Sequence, residues 1–159
     1  MNLSSNSLGI GETMADVAVL TRNYTVHLEP ASKTSNSVTF YSNVPWKSIE
    51  DAHVCGKAIV IYFIVSEQPG IVSYEGTLTD IVIIPPVKDT ARLNRLLDAA
   101  PDKAAKEEVE TGSAKTVYSV SHIKKVLHPF AQTELLKKSD GNQVSKNYER
   151  SYCIVCPYE

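Results

Sequence analysis

Only three cysteines, two methionines and a single tryptophan occur among 159 residues, and no apolar run approaches the roughly 18 residues that a membrane helix needs. Three thiols, an odd number in a chain of ordinary size, argue against a disulfide framework and for a reducing compartment. The expected location is therefore cytoplasmic. The longest strongly apolar stretch, Ala58–Val65, has the length of a buried strand, and no membrane partner is expected. The sequence holds no glycine-rich phosphate loop, no Gly-x-Ser-x-Gly elbow and no His-Glu-x-x-His pair. Its four histidines, His27, His53, His122 and His128, are scattered, so no catalytic residue is assigned. Residues 1–13 are rich in Ser and Asn, with neither a basic segment nor an apolar core. They read as a flexible N-terminal extension ahead of a single domain, and not as a secretory leader.

What is present is size enough for a core. A chain of this length buries roughly two-thirds of its unfolded surface on folding, so no metal or cofactor is needed to hold it together. Charge is unevenly spread. Residues 1–114 carry nine basic and fourteen acidic side chains, whereas residues 115–150 carry seven basic and three acidic ones. Such asymmetry hints at an anionic partner, although a solvated basic face is the plainer reading. A net charge of −2 argues against nonspecific coating of duplex nucleic acid, which draws on many phosphate contacts.

Most of the chain reads as strands. Val17, Val19, Tyr24, Val26 and Leu28 alternate over Ala15–Glu29, the period of a half-buried strand. Val38–Ser42 is the next strand. Ser48 with Asp51 resembles a capping box and Gly56 suits a left-handed helix end, so one helical turn is expected before the strand Ala58–Val65. Along that strand Ile61 and Phe63 point one way, and Val60, Tyr62 and Ile64 the other. Ile71–Tyr74 and Thr77–Ile84 follow, with Gly76 as a bulge or tight bend between them. Helical spacing returns over Asp89–Ala100 and Asp102–Val109, a surface insert spanning 88–111. Lys115–Val120 reads as a strand, Ser121–Leu127 and Phe130–Lys138 as short helices, and Ser151–Cys156 as the last strand. The expected fold is α+β, a small, partly open mixed barrel with short helices between its strands, filling 14–159.

The order strand, turn with Trp46, helical turn, Gly56-Lys57, apolar strand, Pro69-Gly70, then Gly76-Thr-Leu-Thr-Asp-Ile81 resembles the PUA-like superfamily over roughly 38–84, with its EVE and YTH branches nearest. The resemblance implies a module that recognises RNA, or a modified base in RNA or DNA, by enclosing the base between aromatic walls. On that pattern Trp46 stands as a wall at the barrel mouth, and Ser42 and Asn43 meet the base edge. Tyr41, Tyr62 and Tyr74 are further stacking candidates, each with a second reading as a core filler. Lys124, Lys125, Lys146 and Arg150 are the expected phosphate contacts, framing the same mouth.

Two alternatives stand beside this reading. ASCH proteins, another PUA-like branch, include amidohydrolases of modified nucleosides, and Lys57 with Glu75 loosely resembles their pattern. A protein-interaction module using the basic region on an acidic partner is the other. Cys55, Cys153, Cys156 and His53 supply donors enough for a tetrahedral zinc site. A metal knuckle needs a turn between its cysteines, however, and Ile154-Val155 prefers an extended strand. The thiols therefore read as small apolar residues, and no metal is expected.

Overall fold

The computed structural model describes residues 15–84, 89–148 and 152–158. Its elements are β1 (Val17–Asn23), α1 (Thr25–Ala31), β2 (Val38–Ser42), α2 (Lys47–Val54), β3 (Ile59–Val65), β4 (Ile71–Ile83), α3 (Thr90–Asp98), α4 (Ala104–Thr111), β5 (Thr116–Ala131) and β6 (Tyr152–Val155), with a 3-10 turn at Gln132–Glu134. The strands form one mixed sheet in the order β2-β5-β4-β3-β1-β6. β1 and β3 run parallel, and every other neighbouring pair is antiparallel.

The sheet curls. In a flat sheet β2 and β3, three spacings apart, would lie roughly 14 Å from each other. Instead the rings of Phe40 on β2 and Phe63 on β3 meet at 5.5 Å. At the far edges, Trp46 just beyond β2 and Tyr152 on β6 stack at 5.1 Å. The result is a half-barrel of α+β class, the partly open barrel that the strand pattern leads one to expect. Among the described residues no helix is long and apolar enough to cross a membrane.

Alternation along β3 decides the two cores. Ile61 and Phe63 face the concave core with Phe40, Trp46, Tyr74 and Tyr118. Tyr62 and Ile64 face a convex core with Val72, Phe130, Leu135 and Cys153. A third cluster forms where Leu93 and Leu96 of α3 cover Val82 and Val117. The insert is thus packed on the sheet, and Arg92 fixes it there by pairing with Asp80 of β4. Position 88 of the expected insert lies outside the described residues.

Several element expectations need correction. The strand expected over Ala15–Glu29 stops at Asn23, and Thr25–Ala31 is helical. Tyr24 and Val26 are exposed while Leu28 and Ala31 are buried, so the real apolar spacing there is three and not two. The helix α2 begins one residue before Ser48, and no side chain caps it. Gly56 does follow it with φ of +81°. The helix expected over Ser121–Leu127 is part of the 16-residue strand β5, and Phe130–Lys138 holds only the 3-10 turn.

Candidate functional site: a polar cleft between β2 and α1

Where the half-barrel stays open, the outer edge of β2 faces the end of β1 and the start of α1. A cleft of about 400 Å³ lies between them, closed on a third side by the turn joining α3 to α4. Its lining includes Thr21 and Asn23 from β1, Tyr24 and His27 from α1 and its approach, Thr39, Tyr41 and Ser42 from β2, Asn43 just beyond it, Ser66, and Asp102. Phe40, Pro101, Ala104 and Ala105 add an apolar share to the lining. A cleft of this size suits a small ligand fixed by a few convergent polar groups.

β2 is an edge strand, and its free edge is what the cleft exposes. The Thr39 amide donates outward to the Ala99 carbonyl at 3.0 Å. Because main-chain groups alternate along a strand, the Tyr41 N–H and C=O also point outward. Among the described residues they have no hydrogen-bond partner. Neither do the side chains of Tyr41, Asn43 and Ser66. Thr39 is fully buried, yet its hydroxyl makes no hydrogen bond among the described residues. A buried polar group left unpaired costs about 1–3 kcal/mol, so such a group in a ligand-sized cleft is informative. Burial raises the Tyr41 phenol above its ordinary value, and the Glu108 and Asp102 carboxylates push it the same way. Its hydroxyl is therefore held protonated, as a donor.

One contact bridges the cleft. His27 Nε2 lies 3.2 Å from Asp102 Oδ2, and its Nδ1 lies 3.1 Å from Asn23 Oδ1. That same Asn23 oxygen accepts the Tyr24 amide at 2.8 Å, which marks it as an acceptor. Both ring nitrogens thus face acceptors. His27 ties α1 to the α3–α4 turn. Neither helix start at the rim is vacant. The Thr25 amide of α1 donates to Glu67, at 3.2 and 3.3 Å to its two carboxylate oxygens, and the Ala104 amide of α4 donates to Asp102 Oδ1 at 2.9 Å.

The expected ligand-contacting residues divide sharply. Tyr41, Ser42 and Asn43 line the cleft. Trp46 does not lie at a mouth: it is fully buried, stacked on Tyr118 at 4.3 Å and on Tyr152 at 5.1 Å. Thr116 explains the position. Its hydroxyl accepts the Trp46 amide and donates to the Val44 carbonyl, folding the Val44–Trp46 corner back over the concave core. Trp46 therefore plugs the gap between the two sheet edges. Tyr62 and Tyr74 are buried as well, on opposite faces of the sheet and away from the cleft. The Tyr62 hydroxyl accepts the Tyr158 amide, and the Tyr74 hydroxyl donates to Glu29.

Lys124, Lys125 and Lys146 do not line the cleft. Lys124 and Lys125 are neighbours on β5, so their side chains leave on opposite faces of the sheet. Lys124 pairs across from Glu75, and Lys125 lies 3.7 Å from Glu29. Lys146 is exposed in the loop before β6, and Arg150 lies outside the described residues. Lys57 and Glu75 do not converge either, for Glu75 sits opposite Tyr62, well along β3 from Lys57. Cys55 is exposed at the end of α2 and Cys153 is buried in the convex core, so the cysteines are dispersed. His27, Asp102, Thr39 and Tyr24 were not singled out by sequence. Nothing local marks them, since three distant segments bring them together. Compared with protein-family models, curated proteins and solved structures, the chain matches none.

Proposed function

We propose that this protein is a binding module that takes one nucleobase-sized polar ring into the cleft between β2 and α1, without catalysis of its own. One observation carries the reading: the cleft gathers hydrogen-bonding groups that the fold leaves unused, from the buried Thr39 hydroxyl to the Tyr41 main chain and the Asn43 amide. Donors and acceptors at a strand edge suit the alternating donors and acceptors along a heteroaromatic base. Tyr41 and Tyr24 supply flat walls, and stacking of a base on one aromatic ring is worth about 1–3 kcal/mol. His27, the histidine of the lining, has both ring nitrogens within hydrogen-bond reach of the chain's own oxygens, which favours a binding role.

Titration calorimetry of the full chain against free bases and nucleosides, plain and modified, tests this. Asn43 is exposed and makes no contact the fold needs, so Asn43→Ala should fold normally. Loss of its hydrogen bonds should weaken binding by about 1 kcal/mol. A panel without a binder, or binding that Asn43→Ala leaves unchanged, would refute the assignment.

A further inference from the structure

The charges around the cleft narrow the ligand further. We infer that the cleft takes its ring without a phosphate: the ligand is a nucleoside, neutral or cationic, and not a nucleotide or a strand. This rests on the cleft being a polar-ring site, and adds to it which member of that chemistry is admitted.

A phosphate is held by cations, by helix N-termini or by clustered amide N–H groups. Here the lining's own cations and the two helix starts are engaged. The Arg22 guanidinium is the lining's one arginine, and it donates to the Tyr148 carbonyl on the convex side. His27, the other basic group, lies between Asp102 and Asn23. Among the described residues no lysine lines the cleft; Lys103, exposed between the lining residues Asp102 and Ala104, is the neighbouring cation, yet the charges that act on Tyr41 are the Glu108 and Asp102 carboxylates. The two helix starts at the rim carry the chain's own carboxylates, Glu67 on Thr25 and Asp102 on Ala104. The Thr25 amide holds the Glu67 carboxyl below its ordinary range, so this carboxylate stays charged at neutral pH. Glu108 adds a third negative charge near Tyr41. A phosphate entering would meet the Asp102 carboxylate in the lining, with Glu67 and Glu108 close behind it. Among the described residues the unpaired polar groups of the lining are neutral: the buried Thr39 hydroxyl, the Ser66 hydroxyl, the Asn43 amide, and the Tyr41 phenol and main chain.

The test titrates the full chain with the four common nucleosides, their 5′-monophosphates and inorganic phosphate. Whichever nucleoside binds, its monophosphate should bind at least about tenfold more weakly, the scale of one like-charge contact near a protein surface. Inorganic phosphate should not compete. Glu67→Gln should narrow the gap by strengthening the monophosphate alone. Monophosphates binding as tightly as nucleosides, competition by inorganic phosphate, or a gap untouched by Glu67→Gln would each overturn the inference while leaving the polar-ring reading in place. Binding by neither class, with free bases and modified nucleosides silent as well, would overturn both.

Discussion

Trp46 and Thr39 hold opposite kinds of position, and the difference is physical. Trp46 spends its aromatic area on the fold, as a plug between Tyr118 and Tyr152, even though its buried indole N–H has no partner among the described residues. Its emission should be blue-shifted and poorly quenched by iodide, and a nucleoside in the cleft should change it little. An exposed, red-shifted indole would contradict this placement. Trp46→Ala should cost about 3–5 kcal/mol in urea unfolding, the scale for truncating a large buried aromatic. Thr39 spends nothing on the fold through its hydroxyl. Thr39→Val keeps the shape and removes a buried unpaired group, so it should stabilise the protein by about 1 kcal/mol while weakening ligand binding. A destabilised variant would show that the hydroxyl serves the fold after all. Gly76 is fixed by crowding: a Cβ there would sit 2.5 Å from Val120 Cγ1 and 3.1 Å from the Ser121 carbonyl oxygen. Gly76→Ala should therefore cost about 1–3 kcal/mol by overpacking.

Elements with a clean period were legible, and those where the period is interrupted were not. β3 alternates without a break, and its two faces were readable residue by residue. β5 alternates through Tyr118 and Val120, then a bulge at His122 inserts one residue against β4, so the next concave residue is Ile123. That single shift turns a spacing of two into one of three, which mimics a helix. His122 shows the cost, with φ of +55° in a region few non-glycine residues adopt. The start of α1 was hidden for another reason. Tyr24 and Val26 are exposed apolar residues that continued the pattern of β1 by accident, and the carboxylate on Thr25 comes from Glu67, far along the chain. The insert is held by Asp80 and Arg92. Burial raises the Asp80 carboxyl, but Arg92 and the Ile81 amide more than offset that, leaving it below its ordinary 3.8. A group with a lowered folded value stabilises fully above its unfolded pKa and loses that contribution as pH falls through the folded one. α3 should therefore loosen in acid, below about pH 4. Asp80→Asn should cost about 1.5–3 kcal/mol at pH 7 and make stability less sensitive to acid. Equal acid sensitivity in parent and variant would show that another carboxylate governs the loss.

At the scale of the whole molecule, the sheet's curl and its incomplete closure create the cleft. The two edges meet at Trp46 and Tyr152 but stay apart beside Tyr41, and α1 with the α3–α4 turn walls the opening. The strand content and the α+β class were readable from alternation. Strand order was not, because it depends on β1 inserting in parallel beside β3, a pairing of distant segments. The Tyr41-Ser42-Asn43 run could be named in advance because it follows a clear strand into a turn. His27 and Asp102 meet only across 75 positions of sequence, so nothing near either residue announces the other. The most direct test maps where a nucleoside lands, by following backbone amide resonances of the full chain during titration. The Tyr41 amide, pointing outward from β2 with no partner, should shift most, together with Asn43 and Ser66, while Lys124 and Lys146 stay still. Shifts centred on the basic residues with Tyr41 unmoved would contradict the central claim that the open edge of β2 is the binding site.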